Sequence, residues 1–426
     1  MRQILSRVVT DSPSYTDNRS AMLGFVDQLR ALEARAQRAS DKRQATFEAR
    51  GQLTPRQRLQ ALLDPGMPFL RLHSLANFCV ETPDRDTSVP GASMLVGIGF
   101  VSGVRCMVWV DDSGIAAGAA TRASTDVALS LQSICMRQKL PLVHCVESAG
   151  ANLLNYEVKL WSTFGAVFRN LARMSAMGLP TFVVLHGGST AGGAYMPGMS
   201  DYVIGVRHNG MAALGGAALV KAATGEQADD RELGGTEMHA SVSGVVEYLA
   251  EDDSDGILKA RDLLASIQWN RRASPVYRET YDAPHYSADE LAGAVPTDPR
   301  TPYDVREVLA RVVDGSAIDE FKSRYGVSTI CGHATITGIA CGFIGNNGPI
   351  DPDGACKAAQ FIQLCDQANL PLLFLNNTTG YMVGTRYEQA GMIKHGSKMI
   401  QAVSTARIPK ISLYLGASFG AGNYGM

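Results

Sequence analysis

The sequence predicts an α/β protein built from two tandem copies of one layered unit, the second copy truncated at its C-terminal end. Three observations predict it. Four segments recur in the same order at offsets of 229 to 235 residues, short apolar runs alternate with helical periodicity in each copy, and a proline-rich stretch separates the copies.

The repeat is clearest around glycine. "GGSTAGGAY" (187–195) answers "GASFGAGNY" (416–424), pairing Ser189 with Ser418, Gly193 with Gly422 and Tyr195 with Tyr424. Upstream, "GLPTFVVLHGG" (178–188) answers "RIPKISLYLGA" (407–417), and "KLPLVHCVESAG" (139–150) answers "NLPLLFLNNTTG" (369–380). "GFVSGVRCMVWVDDSG" (99–114) answers "HATITGIACGFIGNNG" (333–348). Two copies of one unit, not a solenoid, account for this.

Within a copy, "LPLVHCVE" and "PTFVVLH" are short, apolar and β-branched, as buried strands are. Between them Phe164, Val167, Phe168 and Leu171 fall at helical spacing, closed by Gly178. "GMIKHGSKMIQAVSTA" repeats that helix in the second copy. Strands joined by helical crossovers imply right-handed βαβ units. Five prolines (275, 284, 296, 299, 302) mark the boundary, dividing the chain into residues 1–285 and an incomplete 286–426. At the front, a long helix is expected over 18–50, with Leu23, Val26, Leu29 and Leu32 inward. After Tyr424 only Gly425 and Met426 remain, whereas about 90 residues follow Tyr195 in the first copy. The repeat therefore predicts a natural protein longer by roughly 80–110 residues, and apolar strand surface left exposed in the second copy.

Composition narrows the function. A net charge of −2 on 426 residues gives no electrostatic case for nucleic acid. No apolar run is long enough to span a membrane, and the N-terminus lacks a signal-peptide core, so the expected location is the cytoplasm, or the mitochondrial matrix in a eukaryote. The eight cysteines contain no C-x-x-C pair and read as free thiols, with no metal site expected.

The glycine-rich turns carry the chemistry. A P-loop would need lysine after its last glycine, and Gly193 follows Gly192; no G-x-G-x-x-G is present either. "GASFG" fits a nucleophile elbow at Ser418, but only six residues follow Gly420, leaving no room for the later acid and histidine. What remains is an oxyanion hole: bare N–H groups between strand and helix, with the helix dipole behind them. Close helix–strand packing would also use such glycines. Two aligned turns, each beside a second glycine-rich turn ("ESAGAN", "NNTTGYMVG"), favour two oxyanions and a transfer between carbonyl-type partners. The histidines are scattered, so no His/Asp/Ser constellation is expected, and His186 is expected to pack or hydrogen-bond locally.

On "LTPRQRLQALLDPGMPFL" (53–70), "STAGGAYMPGMSD" (189–201), "LGGAALVKAATGE" (214–226), "TPYDVREVLARVVDGSAIDEFKSRYG" (301–326), "PLLFLNNTTGYMVG" (371–384) and "GASFGAGNYGM" (416–426), the chain resembles the carboxyltransferase (β) subunit of biotin-dependent acyl-CoA carboxylases. "LVKAATGE" with "FGAGNYGM" is most similar to the methylcrotonyl-CoA and geranyl-CoA branch rather than the propionyl-CoA one. The resemblance implies tandem crotonase-like (ClpP/crotonase) domains. It implies N–H groups near Gly192 and Gly193 on the enolate oxygen of an acyl-CoA, and near Gly420, Ala421 and Gly422 on the ureido oxygen of carboxybiotin. Acyl-CoA contacts then fall on Ala149, Gly150, Ala151, Arg122 and Lys221, and biotin contacts on Thr378, Thr379, Gly380 and Phe419. Biotin would be carried on a separate biotin carboxylase/biotin carrier (α) subunit, with β subunits self-associating and this length of chain alone inactive. Two stretches depart from the family pattern: "IAAGAATRASTDV" (115–127) keeps only Arg122 as a cation, and "SAGANLL" (148–154) replaces a glycine- and proline-containing form. Within the family, a propionyl-CoA or other acyl-CoA carboxylase β subunit is the alternative; a crotonase-type hydratase, isomerase or hydrolase, or a non-catalytic scaffold, are the alternatives of other classes.

Overall fold

The computed structural model describes residues 1–150, 158–271 and 280–426. Two compact units form, one of Leu29–Ser274 and one of Met1–Gln28 with Pro275–Met426. In chain order the strands are β1 (Arg2–Gln3), β2 (Leu70–Leu72), β3 (Met94–Val101), β4 (Val104–Asp111), β5 (Leu142–Ser148), β6 (Thr181–Thr190), β7 (Tyr202–Val206), β8 (Met211–Ala213), β9 (Tyr248–Ala250), β10 (Ala317–Phe321), β11 (Thr329–Ile336), β12 (Ile339–Asn346), β13 (Leu372–Thr378) and β14 (Lys410–Ser418).

In the Leu29–Ser274 unit the sheet runs β2-β3-β4-β5-β6-β7-β9, with β8 also on β6. In the other unit it runs β1-β10-β11-β12-β13-β14. Each sheet is antiparallel at one end, through the hairpin β3/β4 or β11/β12 and the strands outside it, and continues in parallel strands. Helices make the crossovers: Arg122–Gln138 and Val158–Ala176 in one unit, Pro352–Gln367 and Met392–Thr405 in the other. They start where short polar side chains can cap them. Thr121 forms a capping box with Ser124, and Asp351 accepts from the N–H of Gly354 ahead of Pro352. The duplication is therefore topological as well as sequential.

It also reaches further upstream than the sequence match. Asp64 accepts the N–H groups of Ser102 and Gly103 at the β3/β4 turn. Asp314 does the same for Thr337 and Gly338 at the β11/β12 turn. In both turns two successive residues have positive φ, the conformation of a tight hairpin, and the carboxylate satisfies the donors that the turn leaves over.

Three expectations about the elements meet a specific outcome. The front helix spans Pro13–Asp41 and is followed by a separate Gln44–Ala49. Its Leu23, Val26 and Leu29 are exposed, not inward; only Ala36 and Ser40 are buried, Ser40 through a hydrogen bond to Asp112 at 2.6 Å. Small residues make the close contact, so the leucine stripe lies elsewhere on the helix. The third is β14, which lies at the edge of its sheet with Ile411 63% and Tyr414 65% exposed, whereas its counterpart β6 is covered by β7 and buried. All eight cysteines are free.

Candidate active site

The first glycine turn follows directly from β6. Strand geometry ends at Thr190, Ala191 takes a left-handed φ of 54°, and a short helix runs through Ala191–Ala194 into Tyr195–Gly198. The N–H groups of Ala191 and Gly192 open that helix and have no acceptor within it. Gly192 faces Phe164, where an added Cβ would lie 3.4 Å from the ring, and one on Gly193 would lie 3.1 Å from Ser189 Oγ.

A second turn, at the end of β5, lies against the first. Ser148 Oγ donates to the Gly118 carbonyl at 2.7 Å and accepts from the N–H of Gly150 at 3.2 Å. Ala120 N–H donates to the Gly150 carbonyl at 2.8 Å, and Thr190 Oγ1 to that of Ala149 at 3.2 Å. These bonds tie residues 118–120 and 148–150 to Thr190, where the first turn begins, and so form one rim.

The rim surrounds a cavity of about 220 Å³. Strands β3 to β5 supply Met94, Trp109, Asp111, His144 and Val146, the crossover helices Ser124, Ala128, Leu160, Trp161 and Phe164, and the far rim Leu214–Gly216 and Leu219. The lining is mostly apolar, as a site for an acyl chain requires. Of the sequence-predicted residues, Gly192, Gly193, Ala149 and Gly150 all border it. Arg122 instead lines a separate cleft of about 150 Å³ with Lys159 and Asp126, and Lys221 is exposed on the helix Ala217–Thr224. Ala151 lies outside the described residues.

The structure brings two titratable side chains together here. Asp111 and His144 both line the cavity, with His144 Nε2 3.3 Å from Asp111 Oδ2. Trp109 Nε1 donates to Asp111 Oδ1 at 2.8 Å. Asp111 and His144 sit on adjacent strands 33 residues apart in sequence, so no local motif announced them. Under the rim lies a second, fully enclosed network. Arg58 donates through Nη1 to Glu147 and through Nε to Asp253, and His186 Nδ1 is 2.8 Å from Asp253 Oδ1. His186 is wholly buried and does not line the cavity. Burial, reinforced by Arg58, holds its imidazole below the ordinary range. Its role is the local one read from the sequence.

The second copy reproduces the rim. Thr378 Oγ1 accepts from the N–H of Gly380 at 3.2 Å and contacts the Gly348 carbonyl at 3.5 Å, and Ile350 N–H donates to the Gly380 carbonyl at 3.0 Å. Gly420, with φ of 59°, stands where Ala191 stands, and Gly422 packs so close to Gly380 that a Cβ would lie 2.8 Å from its Cα. The N–H groups of Ala421 and Gly422 open the helix Gly422–Gly425. Phe419 and Thr379 are exposed beside them. Among the described residues, no three His, Cys, Asp or Glu side chains come together as a metal site, and no helix is long and apolar enough to cross a membrane.

Comparison with known proteins agrees with this geometry. Residues 47–426 match the carboxyl transferase domain family. The chain is 43% identical to a probable biotin-dependent acyl-coenzyme A carboxylase beta2 subunit of Mycobacterium tuberculosis, over 98% of this chain and 77% of that one. It is 41% identical to the mitochondrial methylcrotonoyl-CoA carboxylase beta chain of Dictyostelium discoideum, over 98% and 71%. Among solved structures it is similar to the beta subunit of geranyl-CoA carboxylase from P. aeruginosa, with a TM-score of 0.93 and 49% identity over 100% of this chain and 80% of that one. The chain belongs to the carboxyl transferase family and has its crotonase-like fold; it is a carboxyltransferase subunit.

Proposed function

We propose that this carboxyltransferase moves a carboxyl group from carboxybiotin to a branched enoyl-CoA of the 3-methylcrotonyl or geranyl type. The observation that carries the reading is the doubled rim: one glycine turn opens on an apolar cavity, and its duplicate opens beside an exposed aromatic. In this reading Gly192 and Gly193 border the position of the thioester oxygen, where donors preorganised for an enolate each contribute about 10²–10³ in rate. Ala149 and Gly150, with Ala151 next in sequence, flank the acyl thioester, and Arg122, Lys159 and Lys221 are the cations available to CoA phosphates.

The second rim fits a ureido ring. Gly422 has no side chain to fill the cradle against Gly380, the N–H groups of Ala421 and Gly422 are free of their helix, and Phe419 offers an apolar face. Gly420, Thr378, Thr379 and Gly380 complete its outline. Biotin, held on a separate biotin carboxylase/carrier subunit, would supply the carboxyl group and the acceptor for the substrate proton. The chain's part is to hold the two oxygens and to keep water from the acyl cavity. A hydratase or isomerase would need an acid or base at the turn. Of the His144–Asp111 pair, both carboxylate oxygens of Asp111 are already engaged inside the sheet, by Trp109 Nε1 and by the Glu147 N–H. Self-association of this subunit belongs to the same reading.

Carboxylation of 3-methylcrotonyl-CoA, geranyl-CoA and propionyl-CoA, measured with a biotin-bearing partner subunit present, tests the proposal. Turnover of either branched enoyl-CoA, well above that of propionyl-CoA, is expected. Hydration or isomerisation without biotin would overturn it.

A further inference from the structure

The two copies differ in what lies beneath their glycine turns. Under the second turn the carboxamide oxygen of Asn423 gathers three donors: Ser418 Oγ at 2.7 Å, the Tyr414 hydroxyl at 3.2 Å and Asn376 Nδ2 at 3.4 Å. Asn376 Nδ2 also donates to Ser418 Oγ at 3.1 Å. In the first copy the repeat puts Val146, Leu185 and Ala194 where Asn376, Tyr414 and Asn423 stand. Ser418 keeps its counterpart, Ser189, but that hydroxyl is wholly buried and has no partner among the described residues. One turn rests on apolar side chains and the other on a polar brace, so the brace is not a requirement of the fold. It brackets Gly422. Asn423 follows Gly422 in the chain, and on another side Gly422 packs against Gly380, where an added Cβ would lie 2.8 Å from the Gly380 Cα. The bond between the Ser418 and Asn423 side chains closes residues 419–422 across their base. Phe419, Gly420 and Ala421 are exposed, so burial does little to hold them.

We propose that Asn423 is a positioning residue of the second rim: its oxygen, fixed by three donors, sets the Ala421 and Gly422 N–H groups where the ureido oxygen is met. The proposal rests on reading that rim as the biotin side. Asn423 acts through Gly422 and does not itself touch the ligand. Donors aimed at developing charge work through preorganisation, and a displacement of about 1 Å costs on the order of 10²-fold in rate. What the brace needs at this position is an acceptor, since Asn423 accepts all three bonds. An aspartate supplies that acceptor, and an alanine, the residue the first copy carries, does not.

The test compares Asn423→Ala and Asn423→Asp in the subunit together with its biotin-bearing partner. It is read as kcat and as KM for acyl-CoA, at a temperature where circular dichroism shows each variant folded, and as hydrogen exchange over residues 418–424. Asn423→Ala should lower kcat about 10–100-fold, leave the KM for acyl-CoA unchanged and speed exchange in the turn. Asn423→Asp should recover most of the rate and the slow exchange. Ser418→Ala, which leaves two of the three donors, should lower kcat far less than Asn423→Ala. A folded Asn423→Ala with the unmodified kcat, or an Asn423→Asp no faster than Asn423→Ala, overturns the proposal. Absence of carboxyl transfer from biotin in the unmodified subunit, with the expected exchange pattern, overturns the reading of the rim and leaves the brace standing.

Discussion

Ser148 and Thr378, 230 residues apart in the chain, hold the same bracket: each hydroxyl accepts the N–H of the glycine two residues on and reaches the carbonyl of a glycine thirty residues back. The two strands that carry them shift register at the same point, between Val146 and Ser148 against Ser189, and between Asn376 and Thr378 against Ser418. The bracket is thus a property of the duplicated unit, built where parallel strands part and their ends must turn toward a ligand.

Removing the hydroxyl in Ser148→Ala strands the Gly150 N–H, which costs about 1–3 kcal/mol when buried. Ser148→Thr should be tolerated, because Thr378 already fills this role. Thermal melting and carboxyl-transfer rate of the two variants check this, and an alanine variant as active and stable as the threonine one would refute it.

The left-handed start of each glycine turn predicts an asymmetry. Alanine in that conformation costs roughly 1–2 kcal/mol, so Gly420→Ala destabilises its unit, while Ala191→Gly relieves strain that the first copy carries. Denaturant unfolding of both variants should move in opposite directions.

Gly193→Val and Gly422→Val should abolish carboxyl transfer, the second also disturbing its rim because a Cβ meets Gly380 backbone. Ser418→Ala is expected to be mild, at about 1 kcal/mol, since it loses only the bonds to Asn376 and Asn423. Rates fully retained in the valine variants would remove the turns from the chemistry.

Arg58→Met leaves Glu147 and Asp253 buried without their cation, a loss of about 3–5 kcal/mol. Arg58→Lys should recover little, because one ammonium cannot match the guanidinium fork that reaches both carboxylates. Glu147 lies directly under Gly187, so the rim should loosen with the network; KM for acyl-CoA, read beside the melting temperature, measures that.

Acid should weaken the same network in two stages. The folded imidazole of His186 is held low, so below about pH 6.5 the unfolded chain binds a proton that the folded one does not. Its contribution is full above that pH and falls as pH drops toward the folded value. Burial alone would raise the Asp253 carboxyl, but contact with His186 and Arg58 outweighs it and holds it below the ordinary range. That contribution persists above about pH 4 and is lost as pH falls through the folded value. Melts from pH 7.5 to 3.5 should decline from the first stage onward, and His186→Gln should flatten that stage.

Much of this protein was legible in its sequence because the signals are local. Alternating apolar runs, capping residues and bare glycine turns act on their own neighbours, and a duplication shows itself as the same string met twice. The two rims, with Gly192, Gly193, Gly150, Gly380 and Gly422 at their edges, are therefore readable as glycine-rich turns in the sequence. The tertiary structure alone decided what faces the cavity. Trp109, Asp111 and His144 meet only because β4 and β5 pair in one register. Arg58, Glu147, His186 and Asp253 meet only because two helices close over the strand ends. Such groups are far apart in sequence and carry no spacing rule, since their contact is fixed by strand register and helix packing rather than by the chain between them.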